Sequence, residues 1–266
     1  MNSRWKKGVA GLLAALALQT PAFAAGVAVD GTALNSGEGW IRDGVSYITL
    51  RAVDEATPYE LSWDGSGARL TGEGLELRAV PGQSYITVNG RALYVAGGVQ
   101  VVEGKLTLPM GVVAEAVGGE LNWDSATGTA RMELQGSTPA HAAYEEEDLY
   151  WLSRIISAES RGESLLGQMA VGNVVLNRVA SEHYPNTVKE VVFDTRYGVQ
   201  FEPTANGTVY DEPTQTSVLA AKLCLEGARV VGDCLYFYAP ALSAGTWIVN
   251  NCTYYTTIGC HKFYLP

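Results

Sequence analysis

In the stretch DLYWLSRIISAESRGESLLGQMAVGNVVLNRV, one carboxylate, Glu159, stands where an apolar residue belongs. Leu152, Ile155 and Ile156 mark the apolar face of a helix for which Asp148 is the expected N-cap, and the i, i+3, i+4, i+7 count from Leu152 lands on Glu159. A buried ionised carboxylate is costly unless it is paired, so such a group is protonated, partnered, or displayed in a cleft beside the core. A mostly apolar wall penalises the charged form and lifts the pKa toward the roughly 6 that suits a general acid near neutral pH. The bland alternative is a cap, or a pair with Arg154, Arg161 or Arg178. Ser160-Arg161-Gly162-Glu163 should end the helix directly after the glutamate, and a second apolar helix should follow over 164–179. Carboxylate, helix end and turn then coincide, which holds one side chain at a cleft floor while the next helix forms a wall.

The elements that must position this residue are set out in a chain of 266 residues, 47% hydrophobic, long enough for two cores. Residues 1–24 read as a secretory signal: Arg4, Lys6 and Lys7, a short apolar run, then Ala22-Phe23-Ala24 as the small-x-small cleavage site. That run falls well short of the roughly 20 residues that span a bilayer, so no membrane span is expected after cleavage. Removing three of the 18 basic residues leaves 15 against 28 acidic ones, a net charge of −13. Such a chain lacks the basic face that nucleic acid requires. Cys224, Cys234, Cys252 and Cys260 are even in number and late in an exported chain, which favours disulfides; of three possible connectivities, Cys224–Cys234 and Cys252–Cys260 are expected because each closes a short loop.

Residues 26–136 hold an internal repeat. YITLRAVDEATPYELSWD, ending at Asp64, aligns without gaps on TLPMGVVAEAVGGELNWD, ending at Asp124, an offset of 60. Each copy should run strand, helical turn, Glu-Leu-x-Trp-Asp, Gly-containing turn, strand. The Leu-x-Trp-Asp pairs and the helical turns before them resemble the small β-rich repeat domain named for the N-terminal domain of copper amine oxidases. The segment offers no copper ligands, lacking His and Cys. Trp63 and Trp123 are expected in its core rather than as a sugar-binding platform. Residues 137–147, with small residues, one Pro and an acidic run, read as a linker to a domain over 148–266.

In that last domain Thr187 or Asn186 should cap a short helix through Val192, and 196–210 reads as a loop or hairpin rich in carbohydrate-binding groups. A helix is expected over 213–226, then strands over 233–238 and 247–250. Ala158-Glu159-Ser160-Arg161-Gly162-Glu163, then the run from Gly167-Gln168 to Val179, Gln200-Phe201, Tyr236-Phe237-Tyr238, Trp247, and Ile258-Gly-x-His261-x-Phe263-Tyr264 resemble, in order, the spore cortex-lytic and cell wall hydrolase family typified by SleB and CwlJ. The resemblance implies an α+β chain: a lysozyme-like (transglycosylase-like) C-terminal domain preceded by the small β-rich repeat domain with short helices. It implies cleavage of peptidoglycan glycan strands at the cell wall or, during germination, in the spore cortex, with Glu159 as the catalytic acid and no cofactor. Ser160, Cys252 and Cys260 depart from the family pattern around that acid.

Ordinary glycosidases need two carboxylates roughly 5 to 9.5 Å apart. The sequence offers Glu163, Glu202 and Asp211 as second carboxylates, none as well placed as Glu159. A lytic transglycosylase needs no second one, because the C6 hydroxyl of N-acetylmuramic acid attacks its own anomeric carbon, leaving a 1,6-anhydro end. A hydrolytic muramidase is the near alternative, and a non-catalytic wall-binding protein the distant one. For substrate binding, Gln200 and Tyr238 are expected to hydrogen-bond the sugar, Phe201 and Trp247 to stack on it, Glu163 to face it, and Asn177 or Arg178 to orient the acid. A cell-envelope partner is expected for the repeat domain. Other enzyme classes fit poorly, since there is neither a Gly-x-Ser-x-Gly elbow nor His-Glu-x-x-His.

Overall fold

The computed structural model describes residues 26–134, 136–139, 141–142 and 144–266. The secretory signal expected over 1–24 lies outside them. The first half contains β1 (Gly26–Val29), β2 (Thr32–Ala33), β3 (Gly39–Arg42), β4 (Val45–Thr49), α1 (Leu50–Ala56), β5 (Glu60–Trp63) and β6 (Ala68–Gly72). It continues through β7 (Leu75–Ala79), β8 (Tyr85–Val88), β9 (Arg91–Tyr94), β10 (Gln100–Val102), β11 (Lys105–Pro109), α2 (Met110–Val117), β12 (Glu120–Asp124) and β13 (Thr129–Glu133). The repeat seen in sequence is thus a repeat in space: β4-α1-β5-β6 recurs as β11-α2-β12-β13. The two copies meet where β4 and β11 pair antiparallel. Thr49 faces Thr107 and Tyr47 faces Pro109, two pairs that exchange under the 60-residue shift, so a pseudo-twofold axis passes through Ile48↔Leu108. Thr49 caps α1 by accepting from the Ala52 amide at 3.2 Å. β1 closes the unit by pairing parallel with β13.

The Glu-Leu-x-Trp-Asp motif does not do what its tryptophan suggests. Trp63 and Trp123 are each 59% exposed, not core residues. Both stand at or next to the end of an edge strand, Trp63 on β5 in the order β5-β6-β7-β8-β9 and Trp123 on β12 in the order β12-β13-β1-β2. The core is built instead by small and aliphatic residues such as Leu50, Leu70, Leu108 and Met110.

The second half contains α3 (Glu146–Ser160), α4 (Leu165–Val179), α5 (Val188–Val192), α6 (Glu202–Asn206), a 3₁₀ turn (Thr208–Tyr210), α7 (Gln215–Leu225), β14 (Tyr236–Tyr238), α8 (Thr246–Asn251), β15 (Thr253–Ile258) and β16 (His261–Leu265). α3 starts earlier than expected, so Asp148 is not its N-cap but one of three acids, with Glu146 and Glu147, in its first turn. Negative charge there suits the helix dipole. Residues 247–250 form helix rather than strand. The expected loop over 196–210 contains α6 and the 3₁₀ turn. α4 is the central helix, turning Met169 and Val175 to the helical core and Ala170 and Val174 to the three-stranded sheet β14-β16-β15. A Cβ on Gly172 would lie 2.7 Å from Ile156 Cδ1 and 3.0 Å from Cys224 Sγ, so glycine sets the spacing of α3 and α7 on α4.

The expected disulfides are absent: all four cysteines are free thiols. Six-residue β15 separates Cys252 from Cys260, about 20 Å of extended chain, against the roughly 4.4 to 6.8 Å between Cα atoms that a disulfide allows. Cys224 instead donates to the Met169 carbonyl at 3.3 Å inside the helical core.

The two halves are docked. Arg91 of β9 is buried and grips Glu226, just past α7, with Nε to Oε1 at 3.0 Å and Nη2 to Oε2 at 2.7 Å. The same Nη2 reaches Glu115 of α2 at 2.9 Å, and Lys222 of α7 donates to the Gly90 carbonyl. Ala92, Tyr85 and Tyr94 of the repeat domain join the helical core of the other half. Removing one partner of a buried pair strands the other charge. Arg91→Ala is therefore expected to cost about 3 to 5 kcal/mol in equilibrium denaturation, with Glu226→Gln milder because a neutral amide still accepts from the guanidinium.

Candidate active site at the end of helix α3

Leu152, Ile155 and Ile156 are fully buried and carry α3 into the core, and one turn later Glu159 sits half-buried at its end. A buried polar network fixes that end. Ser157 Oγ accepts from the Thr214 amide, Thr214 Oγ1 lies 2.7 Å from Ser217 Oγ, and Ser217 donates to Gln168 Oε1 at 2.8 Å. Gln168 Nε2 in turn donates to the Glu163 carbonyl at 3.0 Å. The turn after Glu159 is thereby tied to α4 and α7, and Ser164 caps α4 from the Gly167 amide.

Burial is the main reason that the Glu159 carboxyl is pushed up from its ordinary 4.5 to about 7. The negative charge of Glu202 adds to the rise, and the positive charge of Arg178 opposes it. Arg178, from the last turn of α4, is buried beneath the site. Its Nε donates to the Leu235 carbonyl at 2.9 Å, and its guanidinium lies over the rings of Tyr184 and Phe201, each at 5.1 Å, and Tyr236 at 5.8 Å. Its Nη1 has no hydrogen-bond partner among the described residues. Tyr184 is hydrogen-bonded to Tyr236, and burial drives its phenol pKa upward.

Tyr236 and Tyr238 share one face of β14, with Phe237 turned to the core. Trp247 of α8, 60% exposed, meets Tyr236 edge-on at 5.5 Å. Tyr238 lies 5.9 Å from Tyr264, and Tyr264 lies 5.6 Å from Tyr254. A row of aromatic rings thus leads over the small sheet toward Arg178 and Glu159.

Several residues expected at the substrate are committed elsewhere. Phe201 is 2% exposed and packs on Arg178 and Phe237, so it has no free face for a sugar. Asn177 donates to the Gly232 and Cys234 carbonyls at 2.7 and 2.9 Å, pinning the segment before β14. Glu163 accepts from the Cys260 amide at 3.2 Å and stands 3.7 Å from His261 Nδ1, bracing the β15–β16 turn. A Cβ on Gly259, whose φ is +58°, would collide with that carboxylate. His261 is buried, and burial lowers its pKa against the pull of Glu163. Gln200 is half-buried and donates to the Gly198 carbonyl at 3.1 Å, while its side-chain oxygen accepts no hydrogen bond among the described residues. Sequence reasoning passed over Tyr184 and Tyr236; the alternation in Tyr-Phe-Tyr was the signal for the second, and nothing local marks the first.

The model of the copper amine oxidase N-terminal domain matches residues 28–132, and that of the cell wall hydrolases matches 162–264, beginning three residues after Glu159. A cell wall hydrolase CwlJ of Halalkalibacterium halodurans is 32% identical over 99 residues, 35% of this chain and 68% of that protein. The chain belongs to the SleB and CwlJ family of cell wall hydrolases. A spore cortex-lytic enzyme of Bacillus cereus is 37% identical to this family member over 105 residues, 40% of this chain and 39% of that enzyme. The chain thus matches well under half of the length of that relative. The catalytic domain of the germination-specific lytic transglycosylase SleB of Bacillus anthracis is 34% identical, covering 47% of this chain and 100% of that one, with a TM-score of 0.43.

The raised carboxyl of this hydrolase-family domain has a stability signature. The folded chain holds the Glu159 proton more tightly than the unfolded chain, so this group favours folding less as pH climbs from 4.5 to about 7. Glu159→Gln removes that dependence. The variant is expected to match the wild type near pH 4 and to exceed it above pH 7 by up to about 3 kcal/mol, read from denaturant midpoints across pH.

Proposed function

We propose that this protein cleaves the glycan strands of peptidoglycan outside the cytoplasm, as a lytic transglycosylase in which Glu159 is the single acid and base. The observation that carries the reading is a half-buried carboxyl with a pKa of about 7, fixed at a helix end and approached by a row of aromatic rings. Protonated Glu159 gives its proton to the glycosidic oxygen as the bond to the anomeric carbon breaks. The carboxylate so formed lies in the field of Arg178, which favours the charged form and lowers the cost of that step. It then accepts the proton of the C6 hydroxyl as that oxygen closes on the anomeric carbon, giving a 1,6-anhydromuramic acid end and returning Glu159 to its starting state. Trp247, Tyr236 and Tyr238 supply faces and hydroxyls for sugar rings, and the side-chain oxygen of Gln200 accepts from an acetamido or hydroxyl group. The names of the relatives support action on spore cortex or cell wall.

The field of Glu202 at Glu159 favours a second reading, hydrolysis, in which Glu202 activates water. Mature protein incubated with purified cortex and vegetative peptidoglycan distinguishes the two by mass spectrometry of released fragments. Anhydro ends that vanish in Glu159→Gln support transglycosylation; reducing ends that vanish in both Glu159→Gln and Glu202→Gln support hydrolysis. Binding without release from either substrate would indicate a non-catalytic wall protein. Under the transglycosylase reading, Glu202→Gln keeps the anhydro products but removes a charge that raises the acid's pKa. The alkaline limb of the pH–rate profile, which falls near pH 7 as Glu159 loses its proton, should therefore move to lower pH in that variant.

A further inference from the structure

The repeat domain carries a groove of about 330 Å³ between two sheet edges, β5 on one side and the β10–β11 turn on the other, floored by α1. Its volume falls at the low end of the roughly 300 to 1,000 Å³ of small-ligand sites, enough for a sugar unit. Trp63 forms one wall, 59% exposed, with Leu61 and Val101 adding apolar surface. Arg51, Asp54 and Lys105 bring charge to the same groove. Asp54 Oδ1 accepts from the Leu61 amide and Lys105 donates to the Gly37 carbonyl, so both are held in place. Arg51 is exposed and makes no hydrogen bond or ion pair among the described residues.

The pseudo-twofold provides an internal comparison. Shifted by 60 residues, Trp63 becomes Trp123, equally exposed at 59%. At that second location Arg51 is replaced by Gly111 and Asp54 by Ala114, and the shift in the other direction places Val45 where Lys105 stands. The fold presents a tryptophan twice, yet the charged residues that line the groove beside Trp63, Arg51, Asp54 and Lys105, have no charged counterpart at the equivalent positions of the other copy. An exposed indole face with hydrogen-bonding groups at its rim is suited to the apolar face of a pyranose ring, and two cations against one anion favour a ligand bearing a carboxylate.

We propose that the Trp63 groove binds the same polymer that the Glu159 domain cleaves: an amino-sugar unit of a peptidoglycan strand stacks on Trp63, with its carboxylate-bearing substituent toward Arg51 and Lys105. The inference rests on the peptidoglycan reading above. A second contact on the same polymer raises the effective concentration of substrate at Glu159 without a new contact there, since the halves are locked together through Arg91 and Glu226.

The test is co-sedimentation of the mature chain with purified peptidoglycan sacculi, in a Glu159→Gln background so that the polymer is not degraded. Adding Trp63→Ala should weaken binding roughly three- to tenfold, Arg51→Glu should weaken it and flatten its salt dependence, and Trp123→Ala should leave it unchanged. Unaltered melting curves would verify that each variant is folded. Binding of Trp63→Ala equal to the background, or an equal loss in Trp123→Ala, overturns the groove. Failure of the background itself to sediment also overturns it. Release of fragments by the wild-type chain is measured separately, so the peptidoglycan reading stands or falls on its own.

Discussion

The partial burial of one carboxyl governs this structure. Water would hold Glu159 ionised at neutral pH; packed at the end of α3, it keeps its proton to about pH 7. The penalty for charging a desolvated carboxyl is what an acid catalyst exploits, and it is also a standing cost to the fold at higher pH. The surrounding architecture serves that compromise. Ser157, Thr214, Ser217 and Gln168 are linked in one chain of hydrogen bonds beneath the helix end. Such a network rigidifies only when complete.

Arg178 is the counterweight. A guanidinium buried among rings, with one nitrogen lacking a protein partner among the described residues, is an expensive group to keep. Its positive charge near Glu159 opposes the rise in that carboxyl's pKa. The group therefore holds its proton to about pH 7, while Arg178 lowers the cost of the ionised form. Electrostatic help of this kind is strongest where rings exclude water.

Around this centre the chain spends polar residues on stiffness. Asn177 and Glu163 each fasten a loop or turn to the α3–α4 frame, and His261 packs edge-on against Phe237. The repeat domain is fastened in the same manner, by a bidentate arginine–glutamate pair closed off from solvent. Exposed aromatics stand on edge strands of the repeat domain at Trp63 and Trp123, by the β14-β16-β15 sheet at Trp247, Tyr254 and Tyr255, and on the helical side at Tyr150, Tyr197 and Tyr210.

What the sequence determined by itself was local or periodic. The helical count that singled out Glu159, the helix break after it, the second helix beginning at once, a cap at Thr187 or Asn186 and the 60-residue repeat all depend on neighbours within one element, or on self-similarity, and both survive without coordinates. The motif order likewise marked the family. What only the tertiary structure decided was how each side chain is spent. Phe201 and Asn177 are expected at the substrate from sequence, but their partners come from α4, β14 and the loop before it. Trp63 and Trp123 have the residue type of a core, yet they stand near the ends of edge strands and stay exposed. The four cysteines satisfy the parity of disulfides, but a six-residue strand and a helical core keep them apart. Arg178 acquires its meaning from Glu159, Tyr184 and Tyr236, which lie on three other segments. Burial and pairing are long-range properties, and a pattern confined to one element carries no record of what packs against it.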